Sequence, residues 1–378
     1  MPQLANHLVL VFVGICSLSV LSSCLDDSEG DPGASAPQTS PMEETPPLPE
    51  ETAAQEVARP DLVVDLHLDT VTEMVEKNIT WNDRQLEASL PELLEAGVNV
   101  VVQAAWIPRG DPQPRGTGIG KIRRIRNMVR QSKGRAALVT GPDQLERVVR
   151  DGRLAVVIAL EGGTALIKEE ETLREFRSLG LSMLGLTWSE SSAFADSSAS
   201  PREGAAGGLT PAGRKMVTLA NDLGLILDVS HMSDRATAET LALSRAPVVA
   251  SHSNARDLCD VPRNLSDTLL AGIAAKGGLV GAMFHGPFVV PGRQASRADV
   301  AAQISGLVER IGAEHVGLGS DWDGKIKTPT DLQGPVDLKA LRADLAEAGL
   351  SSDQLAGIWG ENFLRVWRSI QAARVSSD

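Results

Sequence analysis

From Asp61 onward the chain alternates short apolar runs with segments of helical period. The runs are LVVDLHLD (62–69), VNVVVQAAW (98–106), LAVVIALEGG (154–163) and LSMLGLTW (181–188), then LGLILDVSH (223–231), APVVASHS (246–253), GGLVGAMFH (277–285) and HVGLGSDWDG (315–324). They are rich in β-branched residues and too continuous to be half-exposed strands, so they read as strands buried on both faces. Segments such as TLREFRSLG, GRKMVTLANDLG and VAAQISGLVERIG place apolar residues three and four apart between them, as amphipathic helices do. Eight buried strands alternating with helices imply parallel pairing and a (β/α)8 TIM-type barrel, and about 320 residues suits that fold with extra loops. Ser351 and Gln354 have capping-box spacing and open a C-terminal helical extension running through Trp367. An open doubly wound sheet is the competing arrangement, but no Gly-rich phosphate fingerprint follows the first run.

The N-terminal region follows other rules. Residues 8–21 are apolar, too short to span a bilayer comfortably, and read as a secretory signal within residues 1–23. Leu21-Ser22-Ser23-Cys24 resembles the bacterial lipoprotein cleavage motif, which makes Cys24 the expected lipidation site, although no Lys or Arg precedes the apolar run. Residues 25–60 hold seven prolines and nine acidic residues against one basic residue. With so little to bury, residues 24–60 are expected to be a lipidated cysteine followed by a disordered linker, and 61–378 a single catalytic domain. The expected location is the bacterial cell envelope, on its periplasmic or outer-membrane side.

Composition narrows the chemistry. A formal charge of −13 without clustered Lys and Arg argues against nucleic-acid binding. Three cysteines, at positions 16, 24 and 259, offer neither a disulfide framework nor a thiolate zinc site. A metal here must take nitrogen and oxygen donors.

Such donors occur where the runs end. The first ends in His67-Leu68-Asp69, whose i, i+2 spacing puts both side chains on one face. The third ends in Glu161, the fifth in His231, the sixth in His252, the seventh in His285 and the eighth in Asp321. Four of the six histidines thus fall at run ends, which in a (β/α)8 barrel converge on the face that carries active sites. Asp65, Asp228 and Asp323 lie close by, where they either orient imidazoles or cap turns.

Taken in order, DLHLD, ALEGG, DVSHMS, SHSNAR, PRN and GLGSDWDG resemble the renal, or membrane, dipeptidase family (peptidase family M19) of amidohydrolase-type metallohydrolases. The resemblance implies two zinc ions per chain and a small peptide substrate, with membrane contact only through the lipid anchor, and it admits a homodimer. It assigns His67 and Asp69 to one zinc, His231 and His252 to the other, and Glu161 to a bridge between them. Arg263 is then a substrate contact and Asp321 the proton-transferring acid/base. Two zinc ions, two carboxylates and a bridging hydroxide leave a cluster of charge about +1, suited to activating water and polarising a scissile carbonyl.

Two positions depart from the family pattern. Trp188 stands where the family has a substrate-contacting His, and His285 stands in place of a Tyr; both are expected to face the substrate. The rival readings are another amidohydrolase-type reaction, on an N-acyl amino acid, lactone or phosphotriester, and a peptide-binding lipoprotein without catalysis. Many enzymes of the first kind bridge their metals with a carboxylated Lys after the fourth strand, where this chain has Thr187-Trp188.

Overall fold

The computed structural model describes residues 61–200 and 207–374. The expected signal, Cys24 and linker lie outside the described residues. Among those described, no helix is long and apolar enough to cross a membrane.

Among the described residues nine strands form: β1 (Val64–Leu68), β2 (Val100–Trp106), β3 (Ala136–Leu138), β4 (Leu154–Glu161), β5 (Leu181–Gly185), β6 (Ile226–Asp228), β7 (Val248–Ala250), β8 (Leu279–Ala282) and β9 (Val316–Leu318). Eight of them pair in parallel in the order β1-β2-β4-β5-β6-β7-β8-β9, with helices in the crossovers. The sheet then closes on itself: the Asp69 N–H donates to the Trp322 carbonyl and the Asp321 N–H to the His67 carbonyl, each at 3.1 Å. The fold is the (β/α)8 barrel, and the open doubly wound alternative is excluded. The additional strand β3 pairs with Leu154–Val156 of β4, leaving Ile158–Leu160 of that strand to β5. The sequence pattern missed it because three residues carry no period.

Alternation along the strands divides the core. Val64, Leu66, Val100, Val102, Ala155 and Val157 belong to one apolar cluster, while Leu68, Val101, Val156 and Ile158 belong to the other, together with the helices. The first cluster also contains Phe363, Val366, Trp367 and Ile370, so the C-terminal helix packs against the barrel interior. That extension runs further and less regularly than its pattern implies: Ser352–Ala356 is α-helical, Gly357–Glu361 a π-helical turn, and Asn362–Ala372 α-helical again. From just past the turn, Asn362 donates to the carbonyls of Ala313 and Val316 at 2.7 and 2.9 Å, tying the extension to the start of β9. Ser351 forms the expected capping box with Gln354.

Candidate metal centre

The strands are shorter than the runs that predicted them, and this positions the site. Glu161 is the last residue of β4, but His231, His252 and Asp321 follow the ends of β6, β7 and β9 by two or three residues. His231 and Asp321 have left-handed backbones, with φ of 67° and 68°. A non-glycine residue seldom adopts that region without surrounding structure to hold it, and such residues cluster at functional sites. On β1 the pairing register shifts between Asp65 and Leu68. This irregularity breaks the alternation after Leu66, so His67 and Asp69 turn toward the centre while Leu68 packs outward.

Six predicted residues meet here. His67 Nε2 lies 3.5 Å from Glu161 Oε1, 3.7 Å from Asp69 Oδ2 and 3.9 Å from Asp321 Oδ1. The same Glu161 oxygen is 3.1 Å from His231 Nε2 and 3.7 Å from His252 Nε2. His231 Nε2 and His252 Nε2 stand 3.0 Å apart. Overlapping groups, His67–Asp69–Glu161, Glu161–His231–His252 and His67–His252–Asp321, each converge closely enough to hold a metal ion.

Electrostatics also favours a cation. All six side chains are buried. Burial pushes Asp321 well above the usual carboxylate range, and Asp69 and Glu161 add to the push against the pull of His67. Asp69 is raised by burial and by Glu161. Burial would raise Glu161 as well, but His67 and His231 outweigh it and hold that carboxyl well below its usual range. Against burial, Glu161 and Asp69 lift His67 well above an ordinary histidine, whereas burial lowers His231 to about 4 and puts His252 well below its ordinary value. Three buried carboxylates therefore share little positive charge. His67 Nε2 and Glu161 Oε2 are buried without a hydrogen-bond partner. Imidazole and carboxylate donors left in this condition fit zinc.

Asp69, Glu161, His231 and Asp321 floor a cavity of about 410 Å³ whose walls include Trp106, Trp188, Met283, His285 and Phe288, while His67 and His252 are buried and do not line it. A larger cleft of about 630 Å³ opens beside Gly163 and Phe194, but none of the candidate ligands lines it. Trp188 packs against Trp106, ring centroids 4.9 Å apart. Trp106 had no place in the sequence reading, although it ends the second apolar run and sits in register with Glu161. His285 lies three residues beyond β8 and is half-buried. Arg263 is placed differently from expectation: its Nη1 donates to Ser253 Oγ and its Nη2 to the His252 carbonyl, both at 2.7 Å, and it does not line the cavity.

The three neighbouring acids separate. Asp65 accepts from the backbone of His67 and Ser320 and from the Ser320 hydroxyl, which pins β1 to the segment after β9. Asp228 accepts from the Ser251 hydroxyl and the backbone of Ser230 and Ser251. Asp323 accepts from the Glu87 N–H and anchors a loop. None of the three hydrogen-bonds an imidazole directly.

The model of the membrane dipeptidase family, peptidase family M19, matches residues 51–378. The chain belongs to this family. Among its relatives, dipeptidase 3 of Rattus norvegicus is 32% identical over 296 residues, covering 77% of this chain and 60% of that protein. The chain thus spans less than two thirds of that relative's length. A metallopeptidase from Rhodobacter sphaeroides, solved with a phosphinate mimic of the dipeptide L-Ala-D-Ala, is similar with TM-score 0.75 and 25% identity over 82% of this chain and 99% of its own. The structure of dipeptidase AC, of family M19, gives TM-score 0.76 and 26% identity over 82% and 98%. Membership accounts for the ordered motifs, including Arg263 in PRN.

Proposed function

We propose that this member of the family is a zinc-dependent dipeptidase that binds two zinc ions per chain. The observation that carries this reading is the convergence of three imidazoles on a single Glu161 oxygen, with Asp69 and Asp321 beside His67, at and just beneath the floor of one cavity. His67 and Asp69 would hold one zinc, His231 and His252 the other, and Glu161, with a second oxygen free, would span both. Zinc held by these residues would supply a Lewis acid for the scissile carbonyl and lower the pKa of the attacking water.

The protein's own groups do the rest. Asp321 takes a proton from the attacking water and delivers it to the leaving amine, and its raised affinity for a proton suits the second half of that task. Trp106 and Trp188 shape an apolar wall for a substrate side chain. The resemblance assigns Arg263 to the substrate carboxylate; its guanidinium here holds Ser253 Oγ and the His252 carbonyl outside the cavity, so that contact requires the side chain to turn inward. We also propose that the chain is exported and anchored through acylated Cys24. Mass spectrometry of Cys24→Ser beside the unsubstituted protein tests the anchor, and an unmodified residue 24 in the unsubstituted protein sinks it.

The decisive experiment measures zinc content of the full chain by mass spectrometry together with turnover on a panel. The panel holds L-Ala-L-Ala, L-Ala-D-Ala, an N-acetyl amino acid, a lactone and a phosphotriester. About two zinc ions and selective dipeptide cleavage are expected. Zinc binding with turnover of only a lactone or phosphotriester would replace the substrate assignment, and peptide binding without turnover would replace catalysis.

A further inference from the structure

Ser251, the residue before His252, carries one hydroxyl on which several side chains converge. It is fully buried. Its Oγ lies 2.6 Å from Asp228 Oδ2, 2.7 Å from His252 Nδ1 and 3.5 Å from His67 Nδ1, with Ser230 Oγ at 3.3 Å. The two imidazoles are close but tilted by 31°, ring centroids 3.8 Å apart. A serine hydroxyl has one proton and two lone pairs, and a carboxylate only accepts. The proton therefore goes to Asp228, and His252 Nδ1, at 2.7 Å, must be an N–H donor to Oγ, while His67 Nδ1 and Ser230 Oγ share the remaining lone pair at longer range. An imidazole with its hydrogen on Nδ1 keeps a lone pair on Nε2 for a metal. Those Nε2 atoms are the ones facing Glu161.

We propose that Ser251, oriented by Asp228, is a positioning residue that sets the tautomer of His252 and presents an acceptor to His67 Nδ1, so that one serine faces an imidazole of each of the two metals. The inference rests on the metal-centre reading above and adds how that centre is made ready before metal arrives. Packing supports it: a Cβ at either Gly281 or Gly319 would collide with the Ser251 carbonyl oxygen, so the surrounding strands close tightly on this residue.

Asp228 makes the test directional. Its Oδ1 accepts from the backbone N–H groups of Ser230 and Ser251 at 2.9 and 3.0 Å. In Asp228→Asn the amide oxygen must stay on those donors, which turns the NH2 toward Ser251. The serine then accepts from the amide and donates to His252 Nδ1, moving the imidazole hydrogen to Nε2.

The experiment is imidazole nitrogen NMR on the full chain stripped of metal, followed by zinc titration against a chromophoric chelator. The unsubstituted protein should show neutral His252 with hydrogen on Nδ1. Asp228→Asn should show His252 with hydrogen on Nε2 and about 10–100-fold weaker zinc binding. Ser251→Ala should weaken zinc binding similarly. If one variant fails to fold, the other still decides. His252 carrying hydrogen on Nε2 in the unsubstituted protein overturns the inference and leaves the metal reading intact. So does unchanged zinc affinity in Ser251→Ala and Asp228→Asn. Failure of the unsubstituted chain to bind zinc fails the metal reading and this inference with it.

Discussion

His285 enters the cavity with its protons already assigned by a neighbour. The Lys327 backbone N–H donates to His285 Nδ1 at 3.0 Å, so the ring hydrogen sits on Nε2. Burial, then the charges of Lys327 and Arg263, lower its pKa to about 4. The residue is a neutral donor at any pH near neutrality, able to hold a carbonyl oxygen that gains charge. His285→Ala should lower kcat/KM by roughly 1–3 kcal/mol, with no new ionisation in the pH–rate profile above pH 5. Unchanged kinetics would make His285 a loop residue only. Asp321→Asn separates proton transfer from metal binding, because the amide cannot shuttle a proton: zinc content should hold while turnover falls about 10²–10⁴-fold. A variant that instead loses zinc and keeps its rate per bound metal would show Asp321 to be chiefly a ligand.

At the scale of elements, the loop before the helix Leu90–Glu95 is tied to the segment after β9 by a reciprocal pair. The Glu87 N–H donates to Asp323 Oδ1 at 2.8 Å, and the Asp323 N–H donates to Glu87 Oε2 at 2.7 Å. The geometry brings two carboxyl groups together at a partly buried place. Burial, then Asp323 and Glu73, raise Glu87 from its ordinary 4.5 to about 7, and burial raises Asp323 from 3.8 to about 6. Folding therefore favours the protonated forms. Below the ordinary values both folded and unfolded chains hold these protons, and the contribution is fully present. As pH rises, the unfolded chain ionises first and stability falls until the folded groups have ionised too, between about 4 and 7. Glu87→Gln keeps an acceptor for the Asp323 N–H and removes one of the charges. Its melting temperature should gain on the unsubstituted protein between pH 5 and pH 8, by an amount worth no more than about 3 kcal/mol. A constant difference across that range would mean Glu87 ionises as an ordinary carboxylate.

Legibility from sequence also divides by element. Long buried strands such as β2 and β4 announced themselves, because continuous apolar runs have few other uses, and the order of runs was enough for the barrel. The polar residues closing those runs gave all six groups of the centre. What stayed hidden depends on partners distant in sequence. Ser251 reads as an ordinary small residue until Asp228 and two imidazoles meet it. Trp106 reads as the end of a core strand until β4 sets it beside Glu161. The π-helical turn at Gly357–Glu361 is a change of hydrogen-bond register that leaves no mark in hydrophobic period, and Arg263 could be matched to a motif without showing that its guanidinium turns toward His252 and Ser253.

For the molecule as a whole, the centre is also the place where the barrel closes. The seam hydrogen bonds run from Asp69 to Trp322 and from Asp321 to His67, so residues expected to touch metal or substrate also join the first strand to the last. Three buried carboxylates at this seam repel one another in the metal-free protein, and a cation would both relieve that repulsion and cross-link β1, β4 and the segments after β6 and β7. A ligand that binds only the folded state stabilises it by RT ln(1 + [L]/Kd), about 4 kcal/mol at a thousandfold excess over Kd. For a domain of this size that corresponds to roughly 5–10 °C in melting temperature. Stripping the full chain with a chelator should lower its melting temperature by about that much, and zinc should restore it. Glu161→Gln removes the charge common to both proposed metal positions, so it should lose most of the zinc-dependent increment, and because His67 and His231 favour that carboxylate even without metal, its metal-free form should melt below the metal-free parent. A parent indifferent to chelation, with a Glu161→Gln variant less stable by the same amount with and without zinc, would make Glu161 a structural acceptor and remove the argument for zinc at this seam.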